Sequence, residues 1–442
     1  MRPRLTSGPP AGLAYAEGMH VLDAAVRDYA WGSPTLLPRL EGREPTGAPE
    51  AEKWLGAHPG APSAVVGEDG SRRGLDEVIA ADPEGTLGAA RRFGRLPYLM
   101  KLLAAAQPLS IQAHPTLGRA REGFAQEEAA GVPADAPHRN YKDDNHKPEM
   151  IVALTPFSAL CGFRRPEEAT ATFERVALAL TEWADGDSTQ VAVAARRMAV
   201  LLADEDVEGA FTDILDPASV WTAEGGVDQL VEALRGMPDL IRQDEALETA
   251  LQVAEHFPGD PGVVVTLLLN RVDLQPGQAV HLPAGNVHAY LRGLGVEVMA
   301  ASDNVLRGGL TDKHVDLAEL RAVVEFEPMP VPYTDPEADG DSVTRYRPPF
   351  DEFELTRLSA DAGRLAPTGD APGAGVRAHV AGPAIAVATE GTAVLRCGDE
   401  AVRLTPGQSV FVPAAQTADA PLALTAEGHG RATVFVAALP SS

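Results

Sequence analysis

Apolar and polar positions alternate one for one through Leu109-Ser110-Ile111-Gln112-Ala113-His114, and Pro115 closes the run. A β-strand sends successive side chains to opposite faces. Leu109, Ile111 and Ala113 are therefore predicted to share one face, with Ser110, Gln112 and His114 as a polar row on the other. From about Val21 to Phe163 short apolar runs broken by glycine and proline predict strands and loops with one or two helices.

The period then changes. Pro166-Glu167-Glu168 opens a helix with proline in the first turn and acids at the positive end of the dipole. Phe173, Val176, Ala177, Leu180 and Trp183 follow at helical spacing. Val191, Ala194, Met198, Leu201 and Leu202 mark a second helix, and Val227, Leu230, Val231 and Leu234 a third. These stripes read as the inner face of a small bundle. The breaker cluster Phe257-Pro258-Gly259-Asp260-Pro261-Gly262 ends the block, and β structure is expected to resume with Val263 to Leu269 and to run past Glu297. Pro328 to Gly340, rich in proline and acid, reads as a linker, followed by more short strands.

One segment is written twice. Leu274-Gln275-Pro276-Gly277-Gln278-Ala279-Val280-His281-Leu282-Pro283-Ala284 matches Leu404-Thr405-Pro406-Gly407-Gln408-Ser409-Val410-Phe411-Val412-Pro413-Ala414. Each copy reads as a Pro-Gly turn, a strand and a second proline turn, which implies two related β-barrels. The first copy continues to His288, whose counterpart in the second is Ala418.

The 442 residues suffice for two or three domains. Lys and Arg number 37 against 63 Asp and Glu, a net charge of −26. That excess excludes nucleic acid and anionic membranes as partners, and any anionic substrate must be received by a local cation cluster. No run is apolar and long enough to span a bilayer. Met1 to Gly18 lacks the apolar core of a signal peptide, so this stretch is expected to be a disordered extension, with Met19 as a possible start. Cys161 and Cys397 are far apart and have no metal-ligand spacing, which fits unpaired thiols in a reducing cytoplasm.

Gln112 and His114 offer an amide oxygen and a ring nitrogen to a metal ion, although a strand with one wet face explains the same alternation. In Lys147-Pro148-Glu149-Met150-Ile151, Lys147 and Glu149 share a face, as a ligand and its neighbour or as a buried ion pair. His288, after the proline turn, is a third candidate, against a purely hydrogen-bonded structural role. Together Gln112, His114, Glu149 and His288 give two nitrogens and two oxygens, an acceptable set for one Zn²⁺ per chain. Arg307, between Leu306 and Gly308-Gly309, and Lys313 lie downstream of the strand bearing Glu297, and in so acidic a chain they suggest an anion site as well as a solvated turn.

Six motifs in order, Tyr29-Ala30-Trp31-Gly32-Ser33, Ala51 to Pro59, Gln112-Ala113-His114-Pro115, Asn145 to Glu149, Gly285 to Tyr290 and Asp303 to Lys313, resemble the type I mannose-6-phosphate isomerases. The resemblance spans most of Val21 to Phe326 and weakens over the helical block and the C-terminal segment. It implies a mainly β protein of two cupin-type jelly-roll barrels with an inserted α-helical domain. The implied divisions are 19–164 with 261–327 for the metal-bearing barrel, 165–260 for the insertion, 328–340 for the linker and 341–442 for a metal-free barrel. It further implies zinc on Gln112, His114, Glu149 and His288, and Arg307 as the active-site arginine. Glu297 is the first candidate for the base and Lys147 the second, and Ser110, Lys313, Tyr290 and Asp303 are expected to contact the phosphosugar. The activity implied is zinc-dependent interconversion of D-mannose 6-phosphate and D-fructose 6-phosphate by a cytoplasmic monomer. A different metal-dependent cupin enzyme, such as an Fe(II) oxygenase, and a non-catalytic sugar-phosphate-binding protein remain alternatives.

Overall fold

The computed structural model describes residues 18–67, 69–187, 189–362 and 375–441; of the extension expected over 1–18, all but Gly18 lies outside them. The chain divides into two compact units.

The first unit gathers the described residues of 1–104, 296–301 and 334–442. Its largest sheet has nine antiparallel strands, running from Glu337–Asp339 at one edge through Arg431–Leu439, Ala381–Glu390, Ser409–Val412 and His20–Asp23 to Arg72–Gly74. A four-stranded sheet runs Val376–Ala378, Leu422–Glu427, Thr392–Cys397, Glu400–Leu404. Period-two alternation supplies the core between them: Ala384, Ala386, Ala388, Val434 and Val436 from the first meet Ala393, Leu395, Leu422 and Leu424 from the second. His20–Asp23 pairs with both Ser409–Val412 and Ala64–Val66. Residues 19–104, expected from sequence to belong with the metal-bearing segment, thus share a unit with the C-terminal residues.

The second unit comprises residues 105–295 and 302–333. Its strands include Gln112–Ala113, Glu149–Ala153, Phe157–Phe163, Leu269–Leu274, Ala279–Leu282 and Leu306–Arg307, with the first part of the long strand His288–Ala300. The three expected helices form as Pro166–Trp183, Gln190–Ala203 and Gly226–Arg235, joined by Val207–Leu215 and Glu245–Ala254. Their apolar faces share one core with Ile111, Ala113, Val287, Ala289 and Leu306. The helices therefore back the strands that carry the candidate ligands. The Val263 to Leu269 run departs from expectation: Gly262–Val265 is helical and Thr266–Leu268 a 3₁₀ turn, with the strand beginning only at Leu269. All seven residues are buried in the helical core, and an apolar run hidden on every side carries no period that separates strand from helix.

The written repeat is a structural repeat. Gly277 and Gly407 take left-handed φ values of 88° and 84°. Gln278 Oε1 accepts from the Gln275 N–H at 2.7 Å, and Gln408 Oε1 from the Thr405 N–H at 2.9 Å. Each turn leads into a four-residue strand, Ala279–Leu282 or Ser409–Val412. The copies then part: Ala414–Asp419 is a helix, whereas Gly285, at φ 79°, turns the chain back into the His288 strand.

Candidate metal centre

Every candidate ligand comes from a strand or strand end of the second unit. Only Gln112–Ala113 of the alternating run is regular strand, yet Leu109 and Ile111 N–H groups still donate to the Tyr290 and Gly309 carbonyls. Ile111 and Ala113 are fully buried toward the helical core. Gln112 consequently leaves the opposite face, directly across from His288 in register. The Gly285 N–H donates to the His114 carbonyl at 2.8 Å, so the turn before His288 also fixes the chain at His114.

His114, Glu149 and His288 present donor atoms within 4.8 Å of one another, all buried. His114 Nε2 is 3.4 Å from Glu149 Oε1, and His288 Nε2 is 3.5 Å from Oε2. Each imidazole Nδ1 faces a backbone carbonyl, that of Asn304 at 2.7 Å for His114 and that of Asn286 at 3.1 Å for His288. A carbonyl only accepts, so both rings carry a proton on Nδ1 and turn Nε2, the atom a metal would take, inward. His114 Nε2, His288 Nε2 and Glu149 Oε2 are buried without a hydrogen-bond partner. Three orphaned acceptors converging on one point are costly unless a cation satisfies them, so the set fits a metal ion of zinc's preferences.

The electrostatics agree. Burial pushes the Glu149 carboxyl up, but Lys147 and His114 outweigh it and hold the group well below the usual carboxylate range. Lys147 Nζ lies 3.0 Å from Glu149 Oε1, so the buried ion pair and the ligand reading are both present on one carboxylate. Burial, reinforced by the positive charge of Lys147, lowers His114 to about 4, leaving it neutral and ligand-competent at pH 7.

Arg307 stands directly across from Gln112 on its other side. Its guanidinium is half-buried and makes no hydrogen bond or ion pair among the described residues. Lys313 is exposed; partial burial and the nearby Arg307 charge lower its pKa. Tyr290, two residues beyond His288, is buried with its ring 6.2 Å from the His288 ring and edge-on to Phe157. Ser110 is half-buried. Asp303 is exposed, its N–H donating to Asp143 Oδ2 at 2.8 Å.

Glu297 belongs to the first unit, and there Lys101 Nζ sits 2.9 Å from Glu297 Oε2 and 3.2 Å from Glu52 Oε1. Trp54 Nε1 donates to Glu52 Oε2 at 2.8 Å, completing a buried network. Sequence reasoning passed over Lys101. The signal was a lysine inside the apolar run Tyr98–Ala105, every residue of which is buried. It also passed over Asn304, whose carbonyl orients His114.

A profile of the phosphomannose isomerase type I catalytic domain matches residues 19–166. Mannose-6-phosphate isomerase of Escherichia coli K12 is 39% identical over 420 residues, covering 93% of this chain and 98% of that protein. Mannose-6-phosphate isomerase 2 of Arabidopsis thaliana is 32% identical, with 91% of each chain covered. Among solved structures, zinc-bound mannose 6-phosphate isomerase superposes with a TM-score of 0.81 at 34% identity, over 96% of this chain and 100% of that one. A histidine-to-alanine variant of the Salmonella typhimurium enzyme gives the same score, identity and coverage. With a convergent His-Glu-His site and such similarity over nearly its whole length, the chain belongs to the type I phosphomannose isomerases.

Proposed function

We propose that the chain interconverts D-mannose 6-phosphate and D-fructose 6-phosphate as a zinc-dependent aldose-ketose isomerase. The carrying observation is the convergence of three orphaned acceptor atoms on His114, Glu149 and His288. Gln112, opposite His288, completes the ligand set. Zinc, when bound, supplies Lewis-acid stabilisation of negative charge developing on the sugar's O1 and O2.

The chain's own residues do the rest. The base removes the C2 proton of the open-chain aldose as O1 takes up a proton, giving the enediol; the O2 hydroxyl then loses its proton as one is returned to C1, so the ketose forms with no net gain or loss. Glu297 is assigned as the base, held by Lys101, and Lys147 as the second candidate. Such a positioned group contributes roughly 10²–10⁴-fold. The uncompensated guanidinium of Arg307 receives phosphate or enediolate oxygens through charge-assisted hydrogen bonds, with Lys313 beside it and Ser110, Tyr290 and Asp303 as further contacts.

The two-sheet core of the first unit and the repeated turn support the two-jelly-roll reading, with 165–260 as a helical insertion and 341–442 metal-free. Of the divisions expected from sequence, 19–164 with 261–327 loses residues up to 104 to the unit of the C-terminal residues, and the 328–340 linker gives up Glu337–Asp339 to that unit's sheet. No helix among the described residues is long and apolar enough to cross a membrane, and both cysteines are buried and unpaired. The unpaired thiols support a reducing compartment, and we place the chain in the cytoplasm as a monomer. The decisive experiment is a coupled assay for fructose 6-phosphate formed from mannose 6-phosphate, with metal analysis and a chelator arm. Zinc-loaded protein that converts no substrate would sink the proposal.

A further inference from the structure

Asn304 is fully buried, and its side chain is saturated. An amide offers two donors and an acceptor oxygen with two lone pairs. Nδ2 donates to the Asp143 carbonyl at 2.7 Å and the Asn145 carbonyl at 2.9 Å. Oδ1 accepts from the Lys142 N–H at 2.7 Å and the Asp143 N–H at 3.3 Å. Ser302 braces the same joint, donating to the Asn145 carbonyl and accepting from the Asn304 N–H, both at 3.2 Å.

Three site-bearing segments meet at this residue. Its own carbonyl takes the His114 Nδ1–H at 2.7 Å. Two residues downstream, Leu306–Arg307 pairs with Ala113 and Gln112. The 142–145 loop, clamped by its amide, leads directly into Lys147 and Glu149. We propose that Asn304 is a positioning residue for the metal: it fixes the His114 tautomer and holds the segments bearing His114, Glu149 and Arg307 in one arrangement. The inference rests on the reading of His114 and Glu149 as zinc ligands.

The chemistry requires an amide here. Aspartate has the same shape but sets a carboxylate against two carbonyls, and alanine strands two buried carbonyls and two N–H groups. A residue that only secured a loop would cost stability when changed and leave metal affinity alone. Groups that orient a metal's ligands typically cost 10–100-fold in affinity when lost.

The test measures zinc affinity by chelator competition, and the absorption spectrum of the cobalt-substituted protein, for the full chain and for Asn304→Asp and Asn304→Ala. Thr172→Val serves as the control, because it deletes a buried hydroxyl bonded to Asp244 within the helical block and touches none of these segments. Asn304 variants are expected to bind zinc 10–100-fold more weakly with an altered cobalt spectrum, while Thr172→Val keeps wild-type values for both. Folded Asn304 variants with wild-type affinity and spectrum overturn the inference. If neither folds, Ser302→Ala decides: weakened zinc binding supports the clamp, and unchanged binding overturns it. Wild-type protein that binds no zinc would instead remove the metal reading itself, a distinct result.

Discussion

Arg307 stands directly across from Gln112, which stands directly across from His288. Opposed residues of neighbouring strands leave a sheet on the same face, so a cation, an amide and an imidazole form one row across three strands. The row sets an unpartnered positive charge beside a cluster of orphaned acceptors, an arrangement suited to a phosphosugar whose oxygens become more negative as it reacts.

Arg307→Ala should lower kcat/KM by roughly 10–100-fold, the worth of about 1.5–3 kcal/mol for a hydrogen bond to a charged group. Turnover should fall with it, and Arg307→Lys should recover part of the loss, since a point charge lacks the planar fork. Steady-state kinetics on both variants check this. A rise in KM with kcat intact would leave Arg307 a binding role alone.

His288→Ala removes one of the three converging acceptors, so the purified variant should hold far less than one zinc per chain and lose activity. In the wild type, zinc at about a hundredfold over its dissociation constant should stabilise the folded state by about 2.7 kcal/mol, seen as a higher Tm that a chelator reverses. Stoichiometric zinc in His288→Ala would remove this residue from the ligand set.

Acid should weaken the metal-free protein in a definite window. Burial and Lys147 put His114 at about 4 in the folded chain, whereas an unfolded histidine titrates near 6.5. Between those values the unfolded chain binds a proton that the folded chain refuses, so stability is full above pH 6.5 and drains as the pH falls toward 4. The loss through this group is on the order of 3 kcal/mol. Urea unfolding of the chelated protein from pH 7 to 4 should show it, with a shallower profile for His114→Gln; parallel profiles would refute the assignment.

Much of the site was legible because its signals are local. Alternation put Gln112 and His114 on one face, and the repeat singled out His288 as the position the second copy lacks. The helical block was legible from its period, but Val263 to Leu268 was not, because burial on all sides erases the polar positions that reveal one. Lys101 and Asn304 escaped for another reason. A lysine in an apolar strand and an asparagine in a loop acquire meaning only from partners 49 residues and about 160 residues away in sequence.

The repeat also locates a glycine on which the metal-bearing copy depends. Gly285 holds φ at 79°, and a Cβ there would lie 2.6 Å from Glu325 Cγ and 3.2 Å from the Val323 carbonyl oxygen. Its counterpart Ala415 sits in a helix, where no such turn is made. Gly285→Ala should therefore destabilise by at least about 1–2 kcal/mol, the cost of a left-handed L-residue, with the crowding added. Because the Gly285 N–H holds the His114 carbonyl, zinc affinity should fall as well. Gly118→Ala supplies the contrast: that glycine lies within the helix Leu117–Ala129 with open space where a Cβ would stand, so alanine should stabilise by up to about 1 kcal/mol. Denaturant midpoints of the two variants should move in opposite directions, and a Gly285→Ala protein as stable as wild type would show that the turn does not need its left-handed residue.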